Sequence, residues 1–239
     1  MTSKLNTVKN DLNTVKEPVP RKRDTVPRKS VDSKGATKSY HHGDLREALV
    51  RASVDIIETQ GLDGFSLREA ARRAGVSPGA PAHHFGDVRG LLSAVATVGF
   101  RDFADELESI QGVDREATIR ALAHAYLRFA QRRPGMFRLM WKTSAFYLSD
   151  ENLYRAGLRA FRVLDQAVRG TATPELVGDV SLASTIACWS LMHGFSALAI
   201  DKAFFADDPE ESANLGVMFD AVLSSLNVLN QSPAQDRQV

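Results

Sequence analysis

Apolar residues recur every three or four positions through most of the chain, and apolar–polar alternation is nowhere sustained, which predicts helices rather than strands. Leu45, Ala48, Leu49, Ala52 and Ile56 mark one face of a helix from Asp44 to Gln60, closed by Gly61 and Gly64. Leu67, Ala70, Ala71 and Ala74 mark a shorter second helix with Arg68, Glu69, Arg72 and Arg73 on its other face. From Asp87 onward, Val88, Leu91, Leu92, Val95, Phe103 and Leu107 predict a long helix that links two parts of the molecule. Beyond residue 112 helical periods cover residues 114–132, 134–147, 150–170, 175–204 and 209–229, broken at Pro134, Pro174 and Pro209. The expected fold is all-α: a small N-terminal three-helix domain over residues 41–102 and a larger helical bundle over 103–231, with residues 1–40 before and a flexible tail, 232–239, after.

The punctuation between Ser66 and Leu92 says more than the periods. Ser66 and Glu69 have the spacing of a capping box, in which hydroxyl and carboxylate each satisfy a free backbone N–H. Gly75 stands where the second helix must end in a left-handed residue, which glycine adopts without a Cβ clash. Ser77 is placed to cap a new helix with Pro78 in its first turn, and Pro81 then removes an early hydrogen bond from it. Two short helices joined by so tight a turn, at about residues 65–84, form a helix-turn-helix, whose second helix enters the DNA major groove.

These residues also carry a resemblance. Residues 42–102 resemble the DNA-binding domain of TetR-type transcriptional regulators in the Gly75-Val76-Ser77 turn, the His84-Phe85-Gly86-Asp87 junction and the Leu91-Leu92 pair. The chain departs from that family at Ala80, Pro81 and Ala82, where a threonine and then a leucine and an aromatic are usual. The resemblance implies a homodimer whose last two helices pair with their copies, a palindromic operator, and Arg89 where a basic residue of the family contacts phosphate. By location and chemistry, Ser66, His83, His84 and Arg89 are the expected phosphate contacts. Arg68 and the face holding Ser77, Gly79, Ala80, Ala82 and His83 are the expected base readers.

Charge sharpens this picture through its distribution rather than its sum. The net charge is +1, yet residues 1–40 hold ten Lys/Arg against four Asp/Glu. Local charge is what meets phosphate. The segment repeats Leu-Asn-Thr-Val-Lys at 5–9 and 12–16 and Val-Pro-Arg-Lys at 19–22 and 26–29. It has no apolar face to bury, and so reads as a disordered basic extension that follows the DNA backbone through Arg21, Lys22, Arg23, Arg28 and Lys29.

In the C-terminal part, Trp189, His193 and Gly194 match a Trp-x-x-x-His-Gly signature of one subgroup of the resembled family. Four apart, Trp189 and His193 share a helix face, and Gly194 would let a neighbouring helix approach. Together with Tyr126, Phe137, Met140 and Trp141 they suit an apolar or amphipathic small-molecule effector that releases DNA. The same residues also read as ordinary core packing.

Other chemistry is sparse. Gly75-Val76-Ser77-Pro78-Gly79 matches the G-x-S-x-G of a hydrolase nucleophile elbow, but that motif needs a buried strand before the serine. A helical scaffold binding only protein is the other alternative. His41-His42 and His83-His84 lack the spacing of a metal site, no cofactor motif appears, and Cys188 among apolar neighbours reads as a buried structural thiol. No signal segment or transmembrane run is apparent, which points to the cytoplasm. The expected protein is therefore a ligand-responsive DNA-binding repressor rather than an enzyme.

Overall fold

The computed structural model describes residues 42–175, 179–204 and 214–225, all helical or in turns and without a strand among the described residues. Among the described residues there are nine helices: α1 His42–Gln60, α2 Leu67–Arg73, α3 Ala80–Phe85, α4 Val88–Glu108, α5 Arg115–Arg132, α6 Pro134–Trp141, α7 Glu151–Arg169, α8 Ala183–Ile200 and α9 Leu215–Ser224. The expected helices starting at 44, 67 and 87 are all present. The basic extension lies outside the described residues, as do Leu226 and Leu229 of the last period.

Helix α1 buries Leu49, Ser53, Ile56 and Ile57 completely, against α2, α4 and α6. Gly61, at φ 72°, ends it. Helix α4 starts at the Asp87 carboxylate, which accepts from the Gly90 amide at 2.9 Å, and buries Leu91, Val95, Phe103 and Leu107 along one face. It belongs to both parts of the molecule. Its N-terminal half packs on α1 and α3, and α7 runs along it as its most extensive neighbour. Helix α7 is capped by Asp150, whose carboxylate accepts from Leu153 at 3.0 Å, and ends at left-handed Gly170.

Three boundaries differ from the sequence reading. Helix α3 begins at Ala80, two residues later than a Ser77 cap would set it; the Ala80 amide donates to the Ser77 carbonyl at 3.0 Å, and no side chain caps the helix. Pro81 therefore sits in the first turn, where a missing N–H removes nothing. Helix α6 stops at Trp141 rather than 147, giving way to a 3-10 turn, Thr143–Ala145. The chain beyond that turn is held by α4, because the Tyr147 amide donates to Ser93 Oγ at 3.0 Å. Helix α8 begins only at Ala183, after a turn at Val180–Leu182 set by Asp179, whose carboxylate accepts from Ser181 at 2.8 Å.

Among the described residues one stretch, Val180–Ile200, has the length and apolarity of a membrane span. Part of that apolarity is spent on packing, since Cys188, Met192 and Phe195 are buried against the rest of the bundle. Ile186 and Leu198 remain exposed on the opposite side.

Candidate DNA interface and bundle cavity

The reading pair is built by short-range chemistry. Ser66 Oγ accepts from the Glu69 amide at 3.2 Å, half of the expected capping box. The Glu69 carboxylate instead turns to Arg72, at 2.7 and 2.8 Å, and to Arg73 at 2.9 Å. Hydrogen bonds from Arg72 and then Arg73 bring its pKa down to about 2. Arg73 also reaches Asp55 of α1, so α2 is tied to α1. Gly75, at φ 69°, ends α2, and the Val76 amide closes the turn on the Ala71 carbonyl at 3.0 Å. Ala70 and Ala71 are buried where α2 meets its neighbours.

On the outer side, Ser66, Arg68, Ser77, Gly79, Ala82, His83 and Arg89 are exposed, while Ala80 and His84 are half-buried. Seven of the nine lie on α3, in the turn before it or at the start of α4, and Ser66 and Arg68 at the start of α2. Pro81 faces the core. The rings of His83 and His84 stand edge to face at 5.3 Å. Ser77 lies in a turn that follows a helix, not a strand, so the nucleophile-elbow reading of residues 75–79 is geometrically excluded.

Arg89 carries contacts its sequence position did not suggest. It donates to the Phe146 carbonyl at 2.7 Å, and its guanidinium lies 4.4 Å from the Tyr147 ring centroid. The Tyr147 hydroxyl donates to Asp87, which lowers the Asp87 pKa. The residues just before and inside the start of α4 are thus clasped by the α6–α7 connection.

The C-terminal part encloses an apolar cavity of about 110 Å³. Helix α4 lines it with Phe100, Phe103 and Leu107, and α5 with Leu122 and Tyr126. Helix α7 contributes Gly157, Ala160, Phe161 and Leu164, α8 contributes Trp189 and Met192, and α6 ends on it at Trp141. Of the six pocket residues expected from sequence, Tyr126, Trp141 and Trp189 line this cavity. Phe137 and His193 line, with Trp141, a separate, more open groove. Met140 lines neither: it is buried core, its sulfur close against Gly99 of α4. Sequence reasoning missed the α4 and α7 walls, although Gly157, Ala160, Phe161 and Leu164 show the spacing of one helical face.

The Trp-x-x-x-His-Gly residues act through one hydroxyl. Trp189 Nε1 donates to Tyr126 Oη at 3.3 Å, and His193 Nδ1 lies 3.1 Å from the same oxygen. Burial lowers the His193 pKa and so favours the neutral imidazole beside the Tyr126 hydroxyl. Burial likewise pushes the Tyr126 phenol well above its usual range. A Cβ at Gly194 would meet nothing within 4 Å among the described residues, so no described helix comes close there. Cys188 is fully buried, and burial raises its thiol to about 11, as fits a structural cysteine.

Residues 49–95 match the family profile described as bacterial regulatory proteins, tetR family, and residues 119–219 the tetracyclin repressor-like C-terminal domain. An uncharacterized HTH-type transcriptional regulator of Bacillus subtilis (strain 168), YobS, is 21% identical over 169 residues, spanning 68% of this chain and 82% of its own. A protein of unknown function from Rhodococcus sp. RHA1 superposes with a TM-score of 0.62 at 26% identity, covering 81% of this chain and 97% of its own. The TetR-like regulator LfrR from Mycobacterium smegmatis, solved in complex with proflavine, shares the fold at a TM-score of 0.50 and 16% identity, covering 77% of this chain and 96% of its own.

Proposed function

The chain belongs to the TetR family and is a DNA-binding transcriptional regulator; on that premise we propose that it is a repressor that grips a palindromic operator as a homodimer and lets go when a small molecule fills the bundle cavity. The observation that carries this reading is the pairing, in one chain, of an exposed helix-turn-helix face with an apolar cavity whose walls include α4, the helix that also carries the reading pair.

Arg68, Ser77 and His83 supply the hydrogen bonds to base edges, and Gly79, Ala80 and Ala82 allow the α3 backbone to come close to the groove. Ser66, His84 and Arg89 position the phosphates. Arg89 spends one of its five donors on Phe146. The basic extension adds salt-sensitive affinity that is independent of sequence.

One short helix reads few base pairs, whereas two related by a two-fold axis read both halves of a palindrome. The outer face of α8 supports pairing of copies: Ala183, Ile186, Ala187, Ser190 and Leu198 are exposed along it, and Gly194 has open space beside it. On α9, Val217 is 71% exposed. Small residues flanked by Ile and Leu allow close helix approach and bury apolar area that a solvated helix would not carry. The work is done in the cytoplasm, where the DNA is.

Fluorescence anisotropy with labelled DNA from upstream of the protein's own gene tests the reading. Saturable, salt-dependent binding at one dimer per palindrome is expected, and it should be lost in a His83→Ala/Arg68→Ala double variant that still melts cooperatively. Sequence-independent binding, or a monomer at micromolar concentration in sedimentation, would refute it.

A further inference from the structure

Helix α3 is short enough for its outward chemistry to be counted. Pro81 is buried, Ala80, His84 and Phe85 are half-buried, and Gly79, Ala82, His83 and Gly86 are exposed. Those four stand at i, i+3, i+4 and i+7, the spacing of a single helical face. The face thus offers two glycines, one methyl group and one imidazole, and the turn ahead of it adds Pro78, also exposed. A Cβ built on Gly79 or Gly86 would meet nothing within 4 Å among the described residues. The backbone on this side is therefore open to close approach.

So smooth a face comes near the base edges but carries few groups that can hydrogen-bond to them. The major groove distinguishes bases by donors and acceptors, and it carries one apolar mark besides, the C5-methyl of thymine. From these observations we infer that Ala82 is a specificity-determining residue, its methyl group packing on a thymine C5-methyl in each half-site of the operator. This deepens the operator reading above and rests on it.

The position of Ala82 favours it over its neighbours. Gly79 lies one turn before it and Gly86 one turn after, so on its own face only His83 projects beyond its methyl. Two rivals would also give a preference for thymine. The Pro78 ring is apolar and exposed in the preceding turn. DNA shape is the other, because A-tracts have a narrow minor groove that proteins read without touching a base in the major groove.

Selection from a random duplex pool with the full-length protein supplies the DNA. Fluorescence anisotropy then compares the enriched palindrome carrying thymine or uracil, which lacks only the methyl, at one symmetric pair of positions. Thymine is expected to be fixed at that pair. Its replacement by uracil should weaken binding about four-fold in one half-site, the worth of one buried methyl group, and about 15-fold in both. Ala82→Gly removes the partner methyl and should bring the ratio between the two duplexes below about two-fold. Ala82→Ser, which leaves a good helical residue in place, sets a hydroxyl against the methyl and should lose the preference as well. His83→Ala and Pro78→Ala should weaken both duplexes alike and keep the ratio. Because each variant is judged by this ratio, a loss of stability common to both duplexes cancels.

A pool in which no sequence is enriched would sink the operator reading and this one together. An enriched palindrome without a fixed thymine, or with equal affinity for thymine and uracil, would sink this one alone. So would a ratio that survives in either Ala82 variant, as DNA shape requires, or one that disappears in Pro78→Ala or His83→Ala.

Discussion

Gly135 is where the bundle leans on the DNA-reading part, and a single methyl there tests how tightly. It occupies the first turn of α6, fully packed, and a Cβ built on it would lie 2.1 Å from the Ile57 carbonyl oxygen of α1 and 2.9 Å from its carbon. Ordinary contact begins near 3.4 Å, so α1 and α6 would have to part by about 1 Å, and the obstacle is backbone that cannot rotate away. Overpacking of this kind costs about 1–3 kcal/mol, against at most about 1 kcal/mol regained because alanine favours a helix more than glycine does. For a chain of this size each kcal/mol is worth about 2–4 °C, so Gly135→Ala should melt several degrees below the parent. Gly157→Ala is the internal control. It is also a helical glycine, but its Cβ would meet only Phe100 carbons at 3.9 Å, so it should stabilise by about 0.5–1 kcal/mol. Circular dichroism melts of both proteins decide the matter: a Gly135→Ala protein that melts with or above the parent would show that the α1–α6 approach is looser than the structure has it.

Three further outcomes follow from particular groups. Asp165 is fully buried and accepts from Arg169, at 2.6 and 2.7 Å, Thr173 N, at 2.7 Å, and Thr185 Oγ1, at 2.7 Å. Asp165→Ala should therefore cost about 2–4 kcal/mol in urea unfolding near neutral pH. Burial alone would raise this carboxyl, but the bonds from Arg169, Thr185 and Thr173 outweigh it and hold the pKa low. The contribution is thus present above the unfolded value near 4 and lost as pH falls through the lower folded value, so the gap between parent and variant should close in acid; a constant gap would contradict the assignment. For His193, burial lowers the folded pKa, and the unfolded chain binds the proton first. Stability from this group is full above about 6.5 and declines as pH falls, and its imidazole NMR titration should have a midpoint below about 6.5, not at or above it. Arg89→Gln should reduce the slope of log K for DNA against log salt by about one, and an unchanged slope would mean that Arg89 serves only the Phe146 carbonyl.

Local signals in the chain were enough for most of the helices. Ser66, Gly75, Asp87, Asp150 and Gly170 each act within a few residues, through a cap or a left-handed turn, and each marks its boundary in the structure. The start of α3 was misread because Pro78 and Pro81 both suit a first helical turn, and only packing, which buries Pro81 and leaves Pro78 exposed, chooses between them. The end of α6 was illegible for a different reason. Its successor is held by Ser93 and Arg89, which lie 54 and 57 residues away from their partners, and no local pattern records such a contact. The cavity is half legible for the same cause: Trp189 and His193 were picked out as a pair, but the Tyr126 hydroxyl that joins them comes from α5, and the opposite wall from α4 and α7.

Helix α6 is a second link between the cavity and the DNA-reading part, beside α4, and it is held at both ends. At its start, Arg133 bonds Glu58 of α1 at 2.6 Å and Asp102 of α4 at 2.5 Å, while Gly135 rests on the α1 backbone. At its end, Trp141 forms part of the cavity wall, packed edge-on against Phe100 at 5.3 Å. The residues that follow then clasp Asp87, Arg89 and Ser93 at the start of α4, directly after the junction with α3. A long α4 alone, as the sequence suggests, would carry a change at the cavity along one axis. With α6 fixed at both ends, a displacement of the Trp141 ring reaches α1 and the first turn of α4 together. These are two of the three elements against which α3 is packed, α2 being the third. In the proposed dimer the spacing of the recognition helices depends in part on how α1 and α4 sit, so a ligand that moved one indole ring would act on two supports of the reading helix at once.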